Sequence, residues 1–398
     1  MRLWYDVQIR WCSEESIVKK ARVGIVGAGQ LARMSLGPAL ALGLDVRLLA
    51  SSLDDSAARV WPDVMIGFPD DPAAVRLLAQ SCTVTTFDHE LVDTVAIAEL
   101  EADGLRFAPG SWVMAVSQSK QMQRNLFARL GFKGPAFSVV ADGQESVLDD
   151  FLAEHGQEIV IKADRGGYDG RGVFVSSHRS GACDFVNGLL RQDVSVVLEA
   201  SVPIDKEVAI LVARSPSGEV CSYPVVETVQ EQGMLRELIA PADILPALLH
   251  EAARIGEMLV AELNIVGLLA VEFFVSNGSL LVNEIATRPH NSGHYSIDAC
   301  VTSQFEQHLR AIVGMPLGDP AMRCRHAVTV NVVGFDERTS PTKNAGIAAS
   351  VRGAHIHLYG KQPRAGRKLG HVTATGNDLE DVLLRARRAA NLLMKGEA

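Results

Sequence analysis

Residues 271–294 read VEFFVSNGSLLVNEIATRPHNSGH. The stretch opens as a strand in which apolar and acidic positions interleave, and Asn277-Gly278 follows where a tight hairpin would turn. A type I′ turn needs φ > 0 at both central residues, a conformation that Asn and Gly adopt readily. A second strand, SLLVNEIA, contains Asn283-Glu284 near its end, so the hairpin carries Glu272 and Glu284 to the same end of a sheet. Two carboxylates suit a hard cation such as Mg²⁺, which keeps waters and bridges to phosphates. Arg288, His290, Asn291 and His294 come next, and cationic groups there suit an anionic substrate or intermediate.

The register raises a difficulty. A two-residue turn sets Ser276 opposite Ser279 and Glu272 opposite Asn283, which leaves Glu284 on the other face. A shared metal therefore requires a β-bulge or a longer loop, and one of the two is expected. The plain alternative is an ordinary hairpin with two solvated acids.

Composition narrows the class. At roughly 100–200 residues per domain, a chain of 398 residues holds two to four domains. Hydrophobic residues make up 47%, enough for sizeable cores, and the formal charge of −9 argues against broad nucleic-acid binding while leaving room for a local anion pocket. Six cysteines (Cys12, Cys82, Cys183, Cys221, Cys300 and Cys324) show no CxxC spacing, which fits a reduced cytoplasmic chain. There is no apolar run of about 18 residues, so no membrane span is expected. Residues 1–20 are charged throughout and lack an apolar core, so they read as an extension and not as a secretory signal.

Working outward, Ala21 to Val26 is an apolar strand, followed by Gly27-Ala-Gly29-Gln30-Leu31-Ala32-Arg33-Met34. This G-x-G-x-x-A turn into a helix favours an anion at the helix N-terminus. The next strand, DVRLLA, ends in Ser51-Ser52 and not in the acid that would hold a dinucleotide ribose, so the turn is expected to serve a different phosphate ligand. AAVRLLAQ reads as helix and CTVTTF as strand, with Asp88-His89-Glu90 at the strand's C-terminal end. Asp88 there can contact a sugar or an amine, or cap the following helix. A helix is expected from Ser117 to Leu130 with Lys120 in its first turn, where a lysine opposes the helix dipole and so has an external anion to meet.

EIVIKADRGGYDGRGVFV is strand, glycine-rich loop, strand, with Lys162 on the first strand and Gly166, Gly167, Gly170 and Gly172 in the loop. It lacks the order of a Walker A loop and has the logic of a flap closing over a nucleotide. Tyr168, Asp169 and Arg171 interrupt the glycines and can reach a second substrate. Two strands around Pro203 follow, with Glu199 ending one and Glu207 beginning the next. Acids so placed can read an adenine amino group and a ribose. CSYPVVETV reads as one strand, ADILPALLHEAARIGEMLVAEL as an amphipathic helix, and DACVTSQFEQHLRAIVG as a helix stopped by Gly314-Met-Pro316. The tail carries strands, the basic run Lys361 to His371, and a closing helix.

Strand Lys162, the glycine loop, Glu199, Glu207, Glu272 and Asn283-Glu284 together resemble the nucleotide machinery of the ATP-grasp superfamily. GAGQLARM, GGYDGRG, NEIATRPHNSGHYSIDACVTSQFEQHLRA and YGKQPRAGRKLGHVT resemble the 5-(carboxyamino)imidazole ribonucleotide synthase family of purine biosynthesis in particular, over about residues 21 to 390. The resemblance implies an α/β fold in three parts: a Rossmann-like N-terminal domain over 21–116, an ATP-grasp domain over 117–317 with a lid over about 137–200, and a small β-rich C-terminal domain over 318–398. It implies a homodimer, no nucleic-acid or membrane partner, and ATP-dependent carboxylation of 5-aminoimidazole ribonucleotide by bicarbonate through carboxyphosphate. Mg²⁺, with Mn²⁺ as an alternative, would sit on Glu272 and Glu284.

Carried over by position, Lys120, Lys162, residues 166–172 and Asn283 with Glu284 would bind ATP phosphates. Glu199, Ala200, Val202 and Gln230 would line the adenine side, and Glu207 would hold the ribose. Arg288 would steady carboxyphosphate, and Asp169 would take the amine proton. Gln30, Leu31, Asp88, Tyr168, Asp169, Arg171, His290, Asn291, Lys361, Arg364 and Arg367 would bind the ribonucleotide. This chain departs from the family pattern at Ala32, where a glycine is usual, at Gln230, where a histidine is frequent, and at Asp88-His89-Glu90. The competing readings are another ATP-grasp ligase, a nucleotide-binding regulator without catalysis, and a dinucleotide oxidoreductase.

Overall fold

A computed structural model describes residues 21–396 apart from 143, 145, 167–171, 232, 338 and 339. The N-terminal extension and loop residues Gly167, Tyr168, Asp169, Gly170 and Arg171 therefore lie outside the described residues.

The chain begins with β1 (Arg22–Val26), α1 (Gln30–Ala41), β2 (Asp45–Ala50), β3 (Val64–Ile66), α2 (Pro72–Gln80), β4 (Val84–Phe87), α3 (Thr94–Ala102) and α4 (Ser111–Gln118). Its four strands form a parallel sheet in the order β3-β2-β1-β4. Strand and helix alternate because buried strands such as RVGIV need a helix on each face.

Next come α5 (Lys120–Arg129), β5 (Phe137–Val140), α6 (Ser146–His155), β6 (Ile159–Ala163), β7 (Val173–Ser176), α7 (Arg179–Leu190) and β8 (Val196–Ala200). Strands β5-β8-β6-β7 make a separate antiparallel sheet. The expected helix over Ser117–Leu130 is in fact broken. Ser119 is extended, its Oγ accepts from the Met122 N–H at 3.1 Å, and α5 begins only after it. A serine that caps a new helix cannot also continue the old one.

The remaining elements are β9 (Lys206–Arg214), β10 (Val220–Ser222), β11 (Val226–Glu231), β12 (Met234–Ala240), α8 (Pro246–Glu262), β13 (Gly267–Ser276), β14 (Ser279–Ala286), α9 (Ser296–Ala299) and α10 (Gln304–Val313). They are followed by β15 (His326–Val333), α11 (Pro341–Ala348), β16 (Ala354–Leu358), β17 (Lys368–Gly376) and α12 (Leu379–Lys395). One nine-stranded sheet runs β14-β13-β9-β11-β12-β15-β17-β16, with β10 paired to β9. The C-terminal strands continue the central sheet through the β12–β15 pairing. The single strand expected over CSYPVVETV is two, β10 and β11, because Pro224 between them has no N–H to give a ladder. The helix expected from Asp298 onward starts at Gln304, where Ser303 caps it. Among the described residues no helix is long and apolar enough to cross a membrane.

The main core lies between β13, β9 and α8: Leu269, Val271, Phe273 and Val275 pack with Val208, Ile210, Ile255 and Leu259. Phe273 is 1% exposed and stands next to the irregular point of the β13–β14 hairpin. Phe273→Ala is expected to destabilise the protein by about 3–5 kcal/mol, read as a lowered urea midpoint.

Candidate functional site

The hairpin solves its register problem with a bulge. Asn277 and Gly278 take φ of 49° and 72°, as a type I′ turn requires. Pairing is regular from Ser276↔Ser279 to Phe273↔Val282, then shifts, so that Glu272 faces Glu284. Asn283 is the extra residue. The bulge expected from the register is therefore present, and it turns Glu284 to the face of Glu272. On the neighbouring strand Glu272 pairs with Ala209, and Glu207, two positions along, shares that face.

Helix α5 and strand β6 bring cations to this face. Lys120 Nζ lies 2.6 Å from Glu284 Oε2. Lys162 Nζ lies 2.8 Å from Glu199 Oε2 and 3.1 Å from Asn283 Oδ1. Lys162 and Glu199 are diagonal neighbours in the β6–β8 ladder, since Lys162 faces Val197. Glu199 is 2% exposed, and its other oxygen is held by Arg124 at 2.6 Å. Removing one partner from such a buried set typically costs about 3–5 kcal/mol. Each oxygen of the Glu199 carboxylate, expected on the adenine side, meets a cation.

The charges fall into order. Burial together with the Glu284 and Glu207 carboxylates pushes the Glu272 carboxyl up to about 8. Glu284 goes the other way, to about 2: burial would raise it, and Lys120 beside it, with Lys162 and His290, outweighs that. Burial lifts Glu207 to about 6, against the pull of Lys162. Burial lowers Lys162, with Arg124 and Lys120 adding to the effect and Glu199 opposing it.

The start and end of the glycine loop are held in place. Gly166 and Gly172 adopt φ of 79° and 73°, where a side chain would be strained, and the Ala163 N–H donates to the Gly172 carbonyl at 2.8 Å. Asp164, just before the loop, accepts from the Ser119 hydroxyl and the Gln121 N–H, both at 2.8 Å, and so fastens the loop to the start of α5. Ala200 and Val202 are half-buried at the connection between β8 and β9, and the Ala200 N–H is already given to the Ala136 carbonyl. Gln230 sits on β11 at a second register shift, two residues past Thr228, the partner of Glu207.

On the other side of the hairpin, Arg288 Nε donates to Glu90 Oε2 at 2.8 Å, joining the central sheet to the end of β4. His290 places Nε2 3.6 Å from Glu272 Oε1, and its Nδ1 is 2.9 Å from Ser292 Oγ. The Asn291 side-chain amide is buried with neither end bonded. Lys361 donates to Gln30 Oε1, so the basic tail reaches the start of α1, while Arg364 is exposed and Arg367 half-buried.

Two assignments near α1 change. Asp88 does not cap α3, which Asp93 caps. Its carboxylate accepts from the N–H groups of Gly29 and Ala32, and a Cβ at Gly29 would overlap it. Two of the donors expected to meet a phosphate thus serve an internal anion. Leu31 buries its side chain in the core, so only its backbone N–H can serve a ligand.

Sequence reasoning passed over Arg124, Asp164 and the individual role of Glu90. Arg124 had a usable signal: it is four residues after Lys120, on the same helical face.

Three family models match the chain: a ribonucleotide synthetase preATP-grasp domain at residues 20–118, an ATP-grasp domain at 125–305, and a phosphoribosylaminoimidazole carboxylase C-terminal domain at 327–385. The chain is 44% identical over 379 residues to a Mycobacterium bovis protein named N5-carboxyaminoimidazole ribonucleotide synthase, covering 94% of this chain and 88% of that one. It is 38% identical to the protein of that name from Synechococcus elongatus, with 94% of each covered. Among solved structures, the N5-carboxyaminoimidazole ribonucleotide synthetase of Thermus thermophilus superposes with a TM-score of 0.83 at 33% identity, over 94% of this chain and 99% of that one. An Aspergillus clavatus synthase in complex with ADP and 5-aminoimidazole ribonucleotide gives 0.84 at 29% identity, over 94% and 99%.

A raised carboxyl pKa fixes a pH sign. Folded Glu272 holds its proton up to about pH 8, whereas an unfolded glutamate releases it near 4.3. Its contribution to stability is therefore full below pH 4 and is lost as pH rises through 8. In the absence of divalent cations, the advantage of Glu272→Gln over the parent in thermal midpoint should be smallest near pH 4 and grow steadily toward pH 9. A constant difference across that range would contradict the assignment.

Proposed function

The chain belongs to the N5-carboxyaminoimidazole ribonucleotide synthase family of ATP-grasp enzymes, and from that premise we propose that it uses ATP to carboxylate 5-aminoimidazole ribonucleotide with bicarbonate in purine biosynthesis. The observation that carries the reading is the convergence of Lys120 and Lys162 on a bulged hairpin whose two carboxylates, Glu272 and Glu284, face each other.

Two adjacent carboxylates, one driven toward neutrality by burial and its neighbours, form a donor pair whose repulsion a hard divalent cation relieves. Glu272 and Glu284 would hold Mg²⁺, or Mn²⁺, which when bound supplies charge neutralisation to phosphate oxygens. This chain's own groups do the rest. The Lys120 and Lys162 ammonium groups each have donors beyond those used internally, and these offset charge on the ATP phosphates. Glu207 receives the ribose. A bicarbonate oxygen attacks the γ-phosphorus, the bond to the ADP oxygen breaks, and carboxyphosphate forms. Arg288, oriented by Glu90, steadies that anion. The exocyclic amine of the ribonucleotide then takes up the carboxyl carbon, directly or as CO₂, releasing phosphate and giving up a proton. Gln30, Lys361 and the neighbouring Arg364 and Arg367 hold the ribonucleotide phosphate, and the loop over 166–172 keeps water from carboxyphosphate.

The same reading includes a homodimer. Ile66, Phe68, Leu77 and Val95 of the N-terminal unit each expose 55–70% of their surface, apolar area that a second copy would cover. Equilibrium sedimentation should give twice the 42.8 kDa chain mass, and a monomer would remove this part.

Phosphate release from ATP, with Mg²⁺ and bicarbonate, tests the whole. Release should depend on 5-aminoimidazole ribonucleotide and fall by about a hundredfold or more in Glu284→Gln. Release indifferent to the ribonucleotide would leave ATP chemistry and move the acceptor elsewhere.

A further inference from the structure

Helix α5 sends a second cation into the cleft wall one turn after Lys120. Arg124 directs Nε and NH2 at Glu199 Oε1, 2.7 and 2.6 Å away, and NH1 at the Val282 carbonyl, 3.2 Å away. Lys162 meets the other oxygen of that carboxylate and also the side chain of Asn283. The contacts close a ring. Arg124 joins Glu199 to Val282, Lys162 joins Glu199 to Asn283, and Val282 and Asn283 are successive residues at the bulge. Glu199 and Lys162 stand on the four-stranded sheet, and Val282 and Asn283 on the nine-stranded one. Arg124 comes from a helix that belongs to neither.

We propose that Arg124 is a positioning residue for the nucleotide, holding Glu199, and through it the Lys162 ammonium, at a set place over the carboxylate hairpin. Arg124 is 4% exposed and does not itself face the cleft. A lysine head on a flexible four-carbon stem is placed only by what it touches, whereas a guanidinium fork is rigid and stays charged. The fork fixes Glu199 against the bulge carbonyl, and the remaining carboxylate oxygen then fixes the lysine. The three side chains sum to one positive charge, so the arrangement delivers an oriented cation to the cleft. The proposal rests on reading this cleft as the ATP site.

Arg124→Met and Arg124→Lys separate a positioning role from a merely structural one. Methionine keeps apolar bulk beside Phe127 and leaves Glu199 paired with Lys162, so no acid is orphaned. ATP affinity by titration calorimetry should weaken about tenfold or more in Arg124→Met, while the KM for 5-aminoimidazole ribonucleotide stays within about twofold and Arg124→Lys regains part of the loss. ATP binding equal to the parent's would overturn the proposal. So would a parallel loss of affinity for both substrates that tracks a fall in melting temperature. If Arg124→Met does not fold, Arg124→Lys carries the test, because a lysine lacks the rigid fork that reaches Glu199 and Val282 from separate nitrogens. Folded Arg124→Lys with parental ATP affinity would overturn the proposal. A parent that does not bind ATP would overturn the nucleotide reading and this inference with it, a result told apart from the others without any variant.

Discussion

A strand counts in twos, and two acids on paired strands reach one face only if their spacing obeys that count or the count is broken. In this protein it is broken once, at Asn283. The extra residue turns Glu284 toward Glu272 and presents its own side chain to Lys162. It also leaves the Val282 carbonyl to Arg124. Metal-type donors, a phosphate-type cation and the support for that cation thus depend on a single inserted position. Buried Phe273 and Val282 hold the hairpin to the core beside it.

The cleft is balanced by sign more than by number. Lys120, Arg124 and Lys162 meet Glu199, Glu207, Glu272 and Glu284 from one helix and five strands. Two of the acids, Glu199 and Glu284, have cationic partners within 2.8 Å and remain ionised. Among the described residues no lysine or arginine pairs so closely with Glu272 or Glu207, and burial moves them toward the neutral form. This division follows from the cost of burying charge, which is met by pairing where a cation is in reach and by protonation where none is.

The outer parts of the chain are tied to this centre by polar contacts of long sequence separation. Glu90 takes Arg288, Thr86 meets His308 at 2.8 Å, and Gln30 takes Lys361. Asp298 receives His357 at 2.8 Å, bringing β16 against the segment that follows the hairpin. Arg387 of α12 grips Glu237 of β12 with two nitrogens. With β15 continuing the central sheet, such contacts give the N-terminal and C-terminal parts a defined place beside the cleft, so groups more than 300 residues apart meet.

Local chemistry settled much of this protein. Asn277-Gly278 dictated the hairpin, Gly314 stopped α10 in the left-handed conformation that glycine takes without strain, and the spacing of acids along β13 and β14 called for a bulge or a longer loop if the two were to share a metal. The alternation of strand and helix before Gln118 was equally legible, because period and turn residues are local properties. The ordered motifs brought the family into view for the same reason. What lay beyond the sequence was where side chains find partners. Asp88 lies 59 residues from the Gly29 N–H it accepts, and Glu199 lies 75 from the Arg124 that claims it. Neither distance leaves a trace in hydrophobic period or turn chemistry. A carboxylate at a strand end looks the same in a sequence whether it waits for a ligand or already holds a cation, and only the packing of sheets and helices around it decides which.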